Sequence, residues 1–340
     1  MPAAEGPGPP ARAGRPWLRR TGRAVTAVVV GALLALGLYQ VSVQPGAAML
    51  RALFDSGPGV TAPPDVEAAR AAVAAPRTVP IPTPDAPDAS AVVYMPRSEG
   101  PHPVVLWVHG GGFVSGSPAT VEDFSFLLAS RGYTVVSLDY TLAPEARYPV
   151  PVRQGNAALA VVQERIAELG GDPARIVLGG DSAGAQIASQ LAAVQTNPRL
   201  ADDLGLTPGV PADRLRAVVL YCGAYDLDTL AATGFPGLQT FLWAYTGHRD
   251  WADAPFADEL STTEQATADY PPTYLTVGDA DPFESQSREL AAALEERGVP
   301  TETLFWDGDD LPHEYQFHFD RPQAARSFDA TLDFLEDRTG

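Results

Sequence analysis

Lysine is absent, and all 23 basic residues of this 340-residue chain are arginine. That excludes a mechanism built on a Schiff-base lysine or on the lysine of a phosphate-binding loop. Cysteine is nearly absent too. The single Cys222 rules out an internal disulfide and a cysteine-rich zinc or iron–sulfur site. In the apolar run AVVLYCG it reads as a buried core residue. Histidine is scarce, so any histidine-dependent chemistry must use His102, His109, His248, His313 or His318. Basic charge is outnumbered: 42 acidic residues against 23 basic ones give a net charge of −19. Residues 1–43 hold five arginines and one acid, a balance of +4, which leaves −23 on the rest. Such a body repels nucleic acid and anionic lipid alike.

What is present begins with 45% hydrophobic residues, enough for one large domain with a sizeable core. The 33 prolines and 31 glycines imply many loops. Residues 24–43, AVTAVVVGALLALGLYQVSV, carry no charge, and about 20 such residues suffice to cross a bilayer as a helix. A secretory signal has a shorter apolar region and a small-residue cleavage site. The stretch is therefore expected to be a retained transmembrane anchor, with a cleaved signal, and so a secreted protein, or a buried N-terminal helix as the alternatives. The arginines of residues 1–23 keep the N-terminus cytoplasmic and place the body outside. Residues 44–89 read as a linker with candidate cap helices, and 76–90 is Pro-rich, extended or turning.

From residue 90 to 338, β-branched apolar runs (AVVYMP, PVVLWVHG, YTVVSLDY, RIVLGG, RAVVLYCG, PTYLTVGD, ETLFWDG) alternate with helical stretches. Uninterrupted apolar strands suit burial on both faces. The expected class is therefore α/β, a mostly parallel central sheet flanked by helices. Residues 224–269 break the rhythm with an aromatic-rich stretch and read as a helical cap inserted above the sheet.

Between RIVL and IASQLAAV lies GGDSAGAQ, residues 179–186. Here G-x-S-x-G, with Ser182 at its centre, follows a strand and opens a helix, the context that gives this motif meaning. The tight turn leaves no room for flanking Cβ atoms, and the helix N-terminus offers N–H groups to a developing anion. The alternative is a Gly/Ser loop in which Asp181 or Ser182 merely caps the helix. A serine needs a base, and the base an orienting acid, in the chain order Ser, acid, His. The base is assigned to His313, in DDLPHEYQF after the last strand, with His318 as the alternative. The acid is expected in GDADPF, where both Asp279 and Asp281 qualify. Asp281 is preferred because Pro282 restrains it and a helix follows. The segment HGGGF (109–113) follows another strand, so Gly111 and Gly112, with Ala183, are the expected oxyanion-hole donors. A dinucleotide loop would need glycines spaced G-x-G-x-x-G, which GGGFVSGS lacks. His109 reads as a structural hydrogen-bonder. Phe113, Phe241, Trp243 and Tyr245 are candidates to line an apolar acyl pocket or, alternatively, to form the core of the cap.

Taken in order, HGGGF, GDSAG, DPF and HEYQF, with DYTLAPEARYP (139–149), resemble the hormone-sensitive-lipase-like, family IV esterases of the α/β-hydrolase fold. The resemblance covers residues 90–338. It implies hydrolysis of carboxylic esters through an acyl-enzyme on Ser182, a helical cap, and no metal or cofactor. The triad would be Ser182, Asp281 and His313. Two positions depart from the pattern: Thr141 replaces the usual arginine, and His-Glu-Tyr replaces the commoner His-Gly-Phe. The reading is a membrane-anchored ester hydrolase acting on a small ester. An acyltransferase or peptidase with the same triad, and a non-catalytic binding protein on the same fold, are the alternatives.

Overall fold

A computed structural model of the chain describes residues 40–56 and 60–340, with positions 1, 6, 30, 31 and 37 before them. The chain divides into a short unit, residues 1–46, and a large one, residues 47–340. The expected anchor at 24–43 lies largely outside the described residues. Among those described, no helix is long and apolar enough to cross a membrane.

Eight strands, β1 (Arg77–Ile81), β2 (Ala89–Tyr94), β3 (His102–Val108), β4 (Thr134–Asp139), β5 (Gly171–Asp181), β6 (Leu215–Tyr221), β7 (Thr273–Val277) and β8 (Thr301–Phe305), form one sheet. Their order is β1-β2-β4-β3-β5-β6-β7-β8. The β1–β2 and β2–β4 pairs are antiparallel and all later pairs are parallel. Among the described residues, helices of nine residues or more are α1 (Gln44–Asp55), α2 (Glu122–Ser130), α3 (Val150–Arg165), α4 (Ala183–Thr196), α5 (Leu238–Thr246), α6 (Glu284–Glu296) and α7 (Pro322–Thr339).

The central strands are buried without alternation, as their uniform apolar sequences require: β7 is buried at every position and β4 at all but its last. One part of the core is aromatic. Trp107 on β3 packs against Phe124 of α2 and Tyr221 of β6, with ring centroids 4.6 and 5.2 Å away.

The sheet begins earlier than residue 90. The Pro-rich stretch is expected to be extended or turning, and within it Arg77–Ile81 is extended and also pairs with β2 as an edge strand. Pro80 explains both the expectation and the outcome, because proline lacks an N–H and is tolerated in a sheet at its edge. Ala69 and Val73, also assigned to the linker, are buried in the same core.

Register positions the site. Val108 at the end of β3 pairs with Gly180 near the end of β5, so the HGGG loop and the GDSAG turn leave the sheet side by side. The loops after β7 and β8 leave from the same C-terminal edge, the edge where open α/β sheets bind ligands.

Candidate active site

The turn from β5 into α4 holds Ser182 at φ 50°, ψ −119°, outside the conformations a side-chain-bearing residue ordinarily adopts. This strain is maintained by its flanks. A Cβ on Gly184 would lie 2.0 Å from the Val108 carbonyl oxygen, and one on Gly180 would lie 2.6 Å from Gly184 backbone. Ser182 does not cap α4 with its side chain. Its Oγ is 2.8 Å from His313 Nε2 instead.

His313 Nδ1 is 2.8 Å from Asp281 Oδ2. Asp281 Oδ1 accepts the Phe283 N–H at 2.8 Å, which fixes the carboxylate at the start of α6. The structure thus brings Ser182, His313 and Asp281 into one hydrogen-bonded line. Asp279 stands apart from that line. Its carboxylate accepts the N–H groups of Asp309, Asp310 and Leu311 and so shapes the loop that delivers His313. The Leu311 bond, with the other two, holds its pKa below the usual carboxylate range. His318 is likewise elsewhere, bridging to Thr61 through its backbone.

Burial opposes a positive charge on His313, but the Asp281 carboxylate bonded to Nδ1 outweighs it and raises the imidazole above its ordinary pKa. Burial pushes the Cys222 thiol up to about 11. Cys222, Asp281 and His313 place potential metal ligands within 4.8 Å of one another. A neutral thiol and an imidazole already engaged at both nitrogens make that a poor metal site.

Gly111 (φ 109°) and Gly112 (φ 60°) border the same pocket as Ser182 and Ala183. A Cβ on Gly112 would lie 2.5 Å from the Phe241 ring, so only glycine lets this backbone pass. Two residues behind the loop hold it. His109 is fully buried, stacks on Tyr140 with centroids 4.4 Å apart, and has Nδ1 2.8 Å from the Gly110 carbonyl oxygen. Burial lowers its pKa to about 4. Asp181 accepts the Trp107 indole N–H and the Gly110 N–H, both at 2.8 Å. It thereby ties the serine turn to the glycine loop, a role beyond the helix cap considered from sequence. Burial, with the Glu314 carboxylate adding to it, pushes Asp181 up to about 8.

Of the four aromatic candidates, Phe113 and Phe241 line the pocket, whereas Trp243 and Tyr245 do not. Helix phase separates Trp243. On α5, Leu238, Phe241 and Leu242 share the pocket face at i, i+3 and i+4, and Trp243, two positions beyond Phe241, points elsewhere, whereas Tyr245, four beyond, keeps that face but lies one turn farther along, behind Phe113. Tyr245 stacks beneath Phe113 with centroids 3.9 Å apart, and Trp243 sits under the Arg249 guanidinium. The lining also includes Phe54 of α1, Leu230 and Phe235 of the 224–269 insertion, Phe283 and Glu314. The cap therefore comes from both the N-terminal helix and the insertion. Glu314 takes the left-handed conformation, φ 58°, ψ 26°, which explains why glycine commonly follows the histidine. Its Oε1 is 4.0 Å from His313 Nε2. At the other departure, Thr141 exchanges hydrogen bonds with Gln154 of α3: its N–H donates at 2.8 Å and its Oγ1 accepts at 2.7 Å.

The α/β-hydrolase-fold family model matches residues 105–317. Esterase LipQ of Mycobacterium tuberculosis is 30% identical over 242 residues, 68% of this chain and 55% of that protein. Versiconal hemiacetal acetate esterase of Dothistroma septosporum is 30% identical over 232 residues, 66% of this chain and 70% of that protein. This chain thus spans little more than half the length of the first relative. Among solved structures, a bacterial heroin esterase superposes with a TM-score of 0.68 at 26% identity, covering 86% of this chain and 97% of the other. The chain belongs to the α/β-hydrolase fold family, in its hormone-sensitive-lipase-like esterase branch.

Proposed function

We propose that the chain is a serine hydrolase that cleaves carboxylic esters through an acyl-enzyme on Ser182. The observation that carries this reading is the line Ser182 Oγ–His313 Nε2, His313 Nδ1–Asp281 Oδ2, with both distances 2.8 Å. Nδ1–H donates to Asp281, so the Nε2 lone pair is free to accept the serine proton. Oγ attacks the ester carbonyl as His313 takes that proton. The backbone N–H groups of Gly111, Gly112 and Ala183 stabilise the oxyanion, each such donor contributing about 3 kcal/mol. His313 then protonates the leaving alcohol, and water repeats the cycle to release the acid.

The pocket walls, Phe54, Phe113, Leu230, Phe235, Phe241 and Phe283, suit an apolar acyl group. The relatives named for esterase activity support the same class of substrate. In this reading residues 24–43 anchor the enzyme with its catalytic body outside the cytoplasm. The test is turnover of p-nitrophenyl esters of increasing acyl length by wild type and Ser182→Ala. Wild type is expected to release both p-nitrophenol and free acid, and the variant to fold and lose turnover. Undiminished turnover in Ser182→Ala would place the nucleophile elsewhere. Acyl transfer to added alcohols in preference to water would identify a transferase.

A further inference from the structure

Large hydrophobic side chains exposed to solvent are confined to one part of the described chain. They are Met1, Val30, Val41, Met49, Leu53, Phe54 and Val60, and there are none among residues 61–340. Four of the seven lie on α1 or within five residues of its end. Helix α1, QPGAAMLRALFD, is mostly apolar, with Gln44, Arg51 and Asp55 as its polar residues. Its inner side is accounted for. Arg51 donates to the carbonyl oxygens of Val114 (2.6 Å) and Ala143 (3.0 Å) and pairs with Glu145 at 2.8 Å. Phe54 meets Phe241 with centroids 5.8 Å apart and lines the pocket of Ser182. The outer side carries Ala48, Met49, Ala52 and Leu53, all exposed. Met49 and Leu53, spaced i, i+4, are 67% and 64% exposed. A helix facing water places polar residues along such a stripe, and here they stand only at its two ends, Gln44 and Ser56.

We propose that this stripe docks into a lipid surface and that the Ser182 pocket receives its ester from the lipid side. The inference rests on the reading of residues 24–43 as membrane-spanning. Gln44, the first residue of α1, directly follows that uncharged 20-residue segment, so a helix starting there starts at the lipid–water boundary. An apolar stripe on such a helix buries itself at the headgroup–acyl boundary. The charge balance selects the kind of contact. The one basic group of α1 is turned inward onto Glu145, and the chain beyond residue 43 is strongly acidic. The contact is therefore apolar, with no attraction to anionic headgroups. Phe54 is both part of the pocket wall and 46% exposed. It forms the rim between the docked stripe and the site, so an apolar ester dissolved in lipid passes over it without crossing water.

The test uses the full-length chain in phosphatidylcholine vesicles. Met49→Cys and Leu53→Cys, each labelled with an environment-sensitive fluorophore, report on the stripe. Cys222 is fully buried with a depressed tendency to ionise and stays unlabelled. Arg199→Cys is the control. Arg199, whose side chain is 90% exposed, follows the far end of α4, about 20 Å along that helix from Ser182. Nitroxide-bearing lipid is expected to quench the probes at 49 and 53 several-fold more than the probe at 199, and neither lower salt nor added anionic lipid is expected to strengthen that quenching. Vesicle-bound protein with no greater quenching at 49 and 53 overturns the docking and leaves the anchor standing. Blue-shifted but unquenched probes overturn it in favour of cover by protein, either residues 24–43 or a second copy. Protein that does not float with vesicles overturns the anchor and this inference together. None of these results touches turnover of a water-dissolved ester, which tests the serine chemistry by itself. A Met49→Gln/Leu53→Gln variant is expected to keep that turnover and to lose several-fold on an ester dissolved in the vesicles. Equal retention of both activities also contradicts the proposal.

Discussion

Replacing Asp281 with asparagine isolates the step on which the proposed chemistry depends. The carboxylate uses both oxygens: Oδ1 accepts the Phe283 N–H and Oδ2 faces His313 Nδ1, each at 2.8 Å. An asparagine that keeps the Phe283 bond through its oxygen presents its NH2 to Nδ1. The imidazole must then accept at Nδ1 and carry its proton on Nε2, which faces Ser182 Oγ at 2.8 Å. It can no longer take the serine proton. A wrong tautomer of this kind costs about 10^4 in turnover, or roughly 5.5 kcal/mol. The other aspartate of that loop offers no rescue, because Asp279 is committed to three backbone N–H groups of residues 309–311. The side chain is nearly isosteric and the Phe283 bond survives, so thermal stability is expected to change far less than activity. The assay is kcat and KM on a short-chain p-nitrophenyl ester, beside a thermal denaturation curve. A loss of kcat under tenfold in folded Asp281→Asn would refute the assigned tautomer and the role of Asp281.

Gly184→Ala brings a methyl group to 2.0 Å from the Val108 carbonyl oxygen. No side chain can move to relieve the clash, so a destabilisation of about 3 kcal/mol and a Tm lower by at least ~5 °C are expected in calorimetry. His313 is raised above its ordinary pKa and serves as base only when neutral. The acid limb of kcat/KM should therefore have its midpoint above about 6.5 and move down in Asp281→Asn. By linkage, the stability this group contributes is fully present below that unfolded-state value and is lost as pH rises through the higher folded value. Denaturation curves across that window should show the decline. Glu314→Gln removes the carboxylate beside His313 Nε2. For a substrate whose acyl chain bears its own carboxylate, relief of repulsion over roughly 5 Å, discounted for partial exposure, is about 1 kcal/mol. KM for that ester should fall about fivefold while a neutral ester is unaffected.

Much of this architecture was legible because each piece has a local cause. The GDSAG turn announces itself by glycines on both sides of Ser182, and the structure supplies the reason in the backbone packed against Gly180 and Gly184. Continuous apolar runs marked the inner strands, since burial on both faces leaves no position for alternation. Strand β1 was hidden because proline reads as a strand breaker until its edge position is known. The pocket was half legible. Phe241 and Trp243 are equally aromatic, and only the phase of α5 decides which one meets Ser182. Phe54, Leu230 and Phe235 reach the site from segments that the sequence alone does not bring together. For Glu314 a signal existed, the residue after His313 where glycine is commoner. Its meaning, a left-handed position filled at some conformational cost, required the backbone angles.

The central claim is that Ser182 is the activated nucleophile. Its most direct measurement is mass-spectrometric mapping of the covalent adduct formed with a serine-reactive alkylphosphonate. A single phosphonylated peptide carrying Ser182 is predicted, formed in step with loss of esterase activity and absent from Ser182→Ala. Inactivation of the wild type with the adduct on any other residue, or inactivation of Ser182→Ala at the wild-type rate, would contradict the account.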